Sequence, residues 1–532
     1  MTFFKRLPLI LSLMLLIILS ALLTSCGGES YEDGIIYNGT TVVGADKNKT
    51  SLTVKDGTTV IAAGAFEGCT QLSSLTLPDT ITEIMAGAFN DCDALIKVEG
   101  GVGYVDDWAV TANEGVTEIS VKDGTRGIAR EAFAGQGALR KVYIPTSVKY
   151  ISARAFFRCS SLEEITLPFI GRGLELRNHT HFGYIFGGFN KEQNSDYVPE
   201  TLNKVTITAA KTISDDAFAG CKKIATVTLP DTLKEIGDRA FANCTALSEI
   251  TIPDSVESIG AKAFYECAAI VSVKLPNNEK FTTLREYTFA FCESIKELVI
   301  PKSVTVIEAC AVARCEQLES ITFNMEMLER IGQQAFDGCK YLTELSFTSK
   351  IVGRAAFQNC TALKDVKLGE GTENIEGYAF NGCAMVESFS IPTTVKRIGE
   401  YSFYACYSVT SFTIPSGVEA IKKSAFGACS RLSELVIPES VKTIATDAFT
   451  GCSSLVERKD GASYVNGWIT EIQPTVTSLL ISCDVIGFAN GAFDDAINLA
   501  EIVFDGTEND FERLKSAIPS RILSRVAVKF TV

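Results

Sequence analysis

The stretch "RAFANCTALSEITIPDSVESIGAKAFYEC" (239–267) carries one motif twice: an Ala-Phe pair with a cysteine three residues past the Phe, at Phe241/Cys244 and at Phe264/Cys267. Twenty-three residues separate the two copies. Between them "LSEITIP" (247–253) alternates apolar and polar residues, the pattern of a half-buried strand. Proline ends that strand, because it has no N–H to give to a ladder. A second short apolar pair, such as Leu233 and Ile236 one copy earlier, precedes the next Ala-Phe. One unit exposes a stripe of about six apolar side chains and cannot bury it alone. Stacked copies, ~4.8 Å apart, bury it against their neighbours.

The beat runs through most of the chain. The copies at 224–244 and 432–452, the latter with Phe426 and Cys429 of the unit before it, show the same spacing. Sixteen Ala-Phe positions lie between Phe66 and Phe493, fifteen of them Phe and one Val312. Fourteen carry the cysteine, the exceptions being Gln136 and Ala496. The predicted fold is mainly β, a solenoid of about sixteen ~23-residue units with their strands stacked in register. In-register cysteines in such a stack keep their Cβ atoms ~4.8 Å apart, beyond the usual ~3.5–4.5 Å of a disulfide. The sequence therefore predicts a column of small, buried, unpaired thiols.

The unit L-x-x-I-x-[LI]-P-x-[ST]-[VL]-x-x-I-x-x-x-A-F-x-x-C resembles the BspA-type leucine-rich repeat of surface proteins from bacteria and some protozoa, over about residues 31–504. The resemblance implies a curved parallel β-solenoid, with strands on one face and short turn or 3₁₀ segments on the other. It also implies adhesion or ligand binding outside the cell, and it carries over no catalytic residues.

The beat breaks in four places. Two intervals double to forty-four residues and contain aligned pieces, "YVDDWAV" (104–110) and "YVNGWIT" (464–470), which hold both tryptophans, Trp108 and Trp468. A related N-terminal piece, "DGIIYNGTTVV" (33–43), leads into "VKDGT" (54–58), which recurs at 121–125. These mark irregular modules at 31–60, 98–131 and 458–491, expected as small hairpins. They serve either as packing elements or as a ligand site built on the tryptophans. The insertion 169–201 holds both histidines of the chain, His179 and His181, beside Tyr184. A His-x-His pair can offer two nitrogens to a metal, but no cysteine or carboxylate trio completes the set. Loop packing or protein contact is the reading, and no metal or cofactor is expected. Residues 505–532 leave the beat with a short helix over 508–518 and a last strand, expected as the C-terminal cap that an open solenoid end requires.

The N-terminus speaks for destination. Lys5 and Arg6, the apolar run 7–23 and then "LTSC" (23–26) read as a lipoprotein signal peptide over 1–25. "LTSC" resembles the bacterial lipobox, which makes Cys26 the lipidated first residue, with 26–30 as a short tether. An exported, membrane-anchored cell-surface lipoprotein is the expectation. The net charge of −15 excludes nucleic acid, which needs clustered Lys and Arg. With only two histidines and no nucleophile-elbow, zinc-protease, phosphate-loop or dinucleotide motif, an enzyme is not expected.

What remains is a surface. On the predicted strand the residue between the two apolar positions points outward: Thr228, Thr251, Lys274, Thr322, Ser346, Lys367, Ser390 and Thr413. Such a ladder suits exposed β-structure in any case. It also offers an extended hydroxyl-rich face to a protein or glycan on a host or neighbouring cell. The alternative is a structural component of the cell envelope with no such ligand.

Overall fold

The computed structural model describes residues 29–174, 179–323 and 327–531, in two compact units that divide after Ala210. The signal segment 1–25 and the lipidation expected at Cys26 lie outside the described residues. Within the expected tether, Glu29 and Ser30 are already strand: Glu29–Glu32 pairs antiparallel with Ile35–Asn38.

Each regular coil contributes one strand of three or four residues and one of two. In the second unit Glu249–Thr251 pairs in parallel with Ser272–Lys274, and Glu235–Ile236 with Ser258–Ile259. The first strand is short because proline stops it. Each coil thus adds a strand to each of two parallel ladders, and in the second unit Ile250, Ile252, Val256 and Ile259 are buried between them. The Ala-Phe segment closes the coil as a hydrogen-bonded turn. Phe241 is flanked two residues before and after by left-handed Arg239 (φ 53°) and Asn243 (φ 61°). Each costs about 1–2 kcal/mol in a non-glycine residue. The compensation is a third inter-coil ladder: the N–H groups of Arg239, Phe241 and Asn243 donate to the carbonyls of Ala261, Ala263 and Tyr265 at 2.8–3.0 Å.

Inside that turn the phenylalanines stack. Phe218–Phe241, Phe241–Phe264 and Phe264–Phe289 have ring centroids 5.0, 5.2 and 5.2 Å apart and nearly parallel planes. Below them run the cysteines, buried and unpaired. Most of these thiols donate to the carbonyl at the Phe position of the preceding coil: Cys244 to Phe218 at 3.2 Å, Cys267 to Phe241 at 3.0 Å, Cys429 to Phe403 at 3.1 Å, and Cys339 to Val312 at 3.4 Å. The column is therefore more than packing, because the S–H is a second donor to a carbonyl that already accepts a backbone N–H within its own turn, as Phe241 does from Cys244 at 3.1 Å. Burial raises the Cys244 and Cys267 thiols, the latter to about 12, and keeps them protonated donors.

The solenoid has about twenty-one coils, more than the sixteen counted from Ala-Phe. Five strands, Ser51–Thr53, Glu118–Ser120, Lys204–Ile207, Ser478–Ser482 and Ala527–Phe530, follow no Ala-Phe turn and escaped the count. Three of them come after the irregular modules, which are three-stranded antiparallel meanders at 29–45, 97–112 and 457–472. The last strand of each meander pairs in parallel with the next two-residue strand, so it substitutes for a coil's second strand. The repeated "VKDGT" is explained by the same device. The backbone N–H of Lys55 donates to the Tyr37 hydroxyl and that of Lys122 to the Tyr104 hydroxyl, both at 3.0 Å.

Lys204–Ile207 follows the insertion, which hides a coil. Its 3₁₀ helix Phe182–Phe186 places Ile185 and Phe186 in the Ala-Phe positions. The Phe156 N–H donates to the Ile185 carbonyl at 2.9 Å, and the Phe156 and Phe186 rings lie 6.3 Å apart. At the C-terminus, helix Glu508–Lys515 opens with a Thr507/Asp510 capping box and buries Phe511 and Leu514. A second short helix, Ser520–Leu523, leads to Ala527–Phe530, which pairs in parallel with Glu501–Asp505. Residues 505–531 thus complete one more coil with helices in place of the Phe turn.

Candidate functional site

The outward strand positions are where chemistry can meet a partner. In the second unit Thr228, Thr251, Lys274, Thr322, Ser346, Lys367, Ser390 and Thr413 are all exposed. Parallel pairing puts them into columns: Thr251 sits opposite Lys274, and Ser346 opposite Lys367, which is opposite Ser390. Side-chain alternation makes this so, since the residues on either side of each outward one are turned to the core.

The same strands hold a second outward column that the sequence reading omitted. It lies two residues earlier and is largely acidic, with Glu249, Glu297, Glu344, Asp365 and Glu434 exposed. The signal was present, because in S-E-I-T the Glu alternates with Ile as the Thr does. The first column also contains apolar members, Val299 at 49% and Val436 at 56% exposure. Hydroxyl, carboxylate, ammonium and methyl groups therefore share one face.

One part of that face is concave. A depression of about 470 Å³ is lined by Thr228, Thr251 and Lys274 from the first column, Glu249 from the second, and Asp231 and Asp254 from the turns beyond the prolines. Lys274 Nζ lies 3.7 Å from Asp254 Oδ2, a solvent-exposed pair of little energetic weight and free to rearrange. The depression offers donors and acceptors of both signs on backbone fixed by three strands. It contains no histidine or cysteine, hence no nucleophile with a base beside it.

The other candidates have different surroundings. Trp108 is fully buried, stacked 6.4 Å from Tyr150 and pressed against Gly127, where a Cβ would fall 2.5 Å from its ring. Trp468 is buried over Gly487 in the same way. Both rings lock a meander to the next coil, and neither presents a face to solvent. His181 is buried, with Nε2 3.2 Å from the Gly188 carbonyl oxygen, and burial lowers its pKa. His179 is exposed and stacks on Tyr184 at 4.9 Å. The two rings thus have different environments, and among the described residues no group of three or more His, Cys, Asp or Glu is arranged to hold a metal. No helix among those residues is long and apolar enough to cross a membrane.

The family model of the BspA-type leucine-rich repeat region matches residues 45–163, 211–343 and 329–456. Among solved structures the chain is similar to a leucine-rich repeat protein from Bacteroides ovatus, with 22% identity over 82% of this chain and 97% of that one and a TM-score of 0.43. It is similar also to a leucine-rich cell surface protein from Faecalibacterium prausnitzii, with 20% identity, coverage of 79% and 97%, and a TM-score of 0.32. The pneumococcal vaccine antigen PcpA matches at 17% identity, coverage of 82% and 97%, and a TM-score of 0.33. No curated protein matches the chain.

Proposed function

The chain belongs to the BspA-type leucine-rich repeat family, and from that premise we propose that it is a non-catalytic bacterial cell-surface lipoprotein. It binds a protein or glycan of a host or neighbouring cell through the strand face of its second unit. Export and anchoring rest on the signal-like segment and the "LTSC" that ends at Cys26. The observation that carries the binding role is the depression at Thr228, Thr251 and Lys274, where in-register polar columns meet on a rigid sheet. Polar, adaptable groups on a fixed backbone suit a hydroxyl-rich or mixed-charge partner better than an apolar one.

The test is a glycan and matrix-protein array probed with the purified protein and with a Thr251→Glu/Lys274→Glu variant. These positions are exposed, so the variant keeps its fold, checked by circular dichroism, with a small loss in melting temperature from the two carboxylates set opposite each other. A partner bound by the parent protein and lost by the variant supports the reading. A parent protein that binds nothing on the array overturns it in favour of an envelope component without a ligand.

A further inference from the structure

A second concavity lies in the first unit, beneath the insertion. It measures about 200 Å³, and its lining includes Arg130, Arg154, Arg172, His179, Tyr184 and Phe189. We propose that it is a binding site for one anionic group, the carboxylate or sulfate ester of an acidic glycan.

Charge is the first reason. Arg172 pairs with Glu83 at 3.3 Å, both about one-fifth exposed, and Arg154 Nε pairs with Glu131 Oε1 at 3.0 Å. The Arg154 guanidinium also lies 4.1 Å over the Phe157 ring. Two of the three arginines are thereby held in place by carboxylates. Among the described residues Arg130 has no carboxylate partner, so three guanidiniums face two carboxylates and one positive charge is left over. In a chain of net charge −15 an uncompensated, half-buried arginine in a cavity is a feature that an incoming anion would complete. Guanidinium is also the group whose fork fits carboxylate and sulfate oxygens.

Rigidity is the second. The loop over the cavity is tied from below: the Gly183 N–H donates to Asn194 Oδ1 at 2.7 Å, and His181 Nε2 lies 3.2 Å from the Gly188 carbonyl oxygen. The Phe189 N–H donates to Gln193 Oε1 at 2.8 Å. That last bond fixes the backbone at an aromatic residue which is itself 70% exposed. A ring held at the rim of a cationic cavity supplies the apolar face on which a sugar ring lies, while its acidic substituent enters. The volume is below the ~300–1,000 Å³ of sites for larger ligands, which limits the occupant to one sugar or its substituent. This site is built wholly from the first unit, so it stands or falls independently of the strand face.

The experiment is calorimetric titration of the purified protein with a sulfated, uronic-acid-containing tetrasaccharide and with a neutral tetrasaccharide. Glucuronic acid and glucose 6-sulfate are titrated separately to tell which anion enters. The acidic tetrasaccharide and at least one of the acidic monosaccharides bind, and the neutral one does not. Arg130→Gln, which breaks no ion pair, weakens binding about tenfold with an unchanged melting temperature. Phe189→Ala weakens it roughly threefold. The proposal is overturned if no acidic probe binds, if the neutral probe binds equally, or if Arg130→Gln binds as the parent does. It is overturned equally if inorganic sulfate binds and no saccharide does, or if Phe189→Ala leaves saccharide binding intact.

Discussion

The Phe column makes a quantitative claim that substitution can test. The Phe264 side chain is fully buried and stacked on two neighbours, Phe241 and Phe289, each 5.2 Å away. Phe264→Ala removes the ring and leaves a cavity, at a cost of about 3–5 kcal/mol. Within that total each stacked pair accounts for about 0.5–1.5 kcal/mol. Phe89 is the internal control. It is 6% exposed and stacks on Phe66 at 5.4 Å, while the meander 97–112 follows on its other side. Phe89→Ala therefore costs about 1 kcal/mol less than Phe264→Ala, the weight of one ring pair. Nearest-neighbour coupling also confines the damage. Hydrogen exchange read by mass spectrometry should show Phe264→Ala deprotecting the turn amides 239–243 and 262–266 and sparing 66–89. Urea unfolding followed by circular dichroism supplies the relative stabilities. Equal losses for the two variants, or a loss below about 1 kcal/mol at Phe264, would mean that the rings do not couple the coils.

Three further outcomes follow from the same geometry. Iodoacetamide on the native protein should label Cys483, the exposed cysteine among those described, and spare the buried column until denaturant is added; paired thiols recovered without reductant would refute the hydrogen-bonded column. Gly127→Ala drives a Cβ to 2.5 Å from Trp108, so it should destabilise by about 1–3 kcal/mol and red-shift tryptophan emission. Gly137→Ala, whose nearest neighbour is Ser160 Oγ at 3.9 Å, should do neither. Burial lowers the His181 pKa, so the unfolded chain takes up this proton more readily than the folded one. Stability from this residue is present above the ordinary value of ~6.5 and is lost as pH falls below it. Protection factors of the amides 182–188, taken relative to the intrinsic exchange rate at each pH, should therefore fall between pH 7 and pH 5, and those of a His181→Gln variant should not.

Repetition made the scaffold legible. Strand, proline, Ala-Phe and cysteine each recur so often that a departure such as Val312 or Gln136 cannot obscure the period. The hairpin modules were legible because "YVDDWAV" and "YVNGWIT" align with each other. The coil inside the insertion was not, since it presents Ile185-Phe186 where the pattern demands Ala-Phe, and a longer side chain at the first position still lets the backbone hydrogen bond form. The thiol donors were missed because a period reports spacing and says nothing of which carbonyl of the preceding coil has room for a second donor. The arginine cavity was beyond the sequence for a topological reason. Arg130 and Arg154 are twenty-four residues apart, about one coil, but the insertion displaces Arg172 and Tyr184 from any periodic position.

The regular coils leave little chemistry free. Their turn amides are committed to the next coil, their thiols to the preceding one, and their rings to each other. Only two kinds of place remain where polar groups are not already engaged by the stack: the outward strand columns and the breaks in the beat. The breaks at Trp108 and Trp468 use their large side chains to rejoin the stack. The insertion does the reverse. It sets Phe186 against Phe156 with the rings 6.3 Å apart and tilted, so within the first unit the turn position is filled and the residues just after it are freed. Those residues carry an exposed aromatic ring and overlie an unbalanced arginine. In a repeat array a ligand can be held on the outward strand columns or where a break has satisfied the stack by other means, and residues 182–189 are of the second kind.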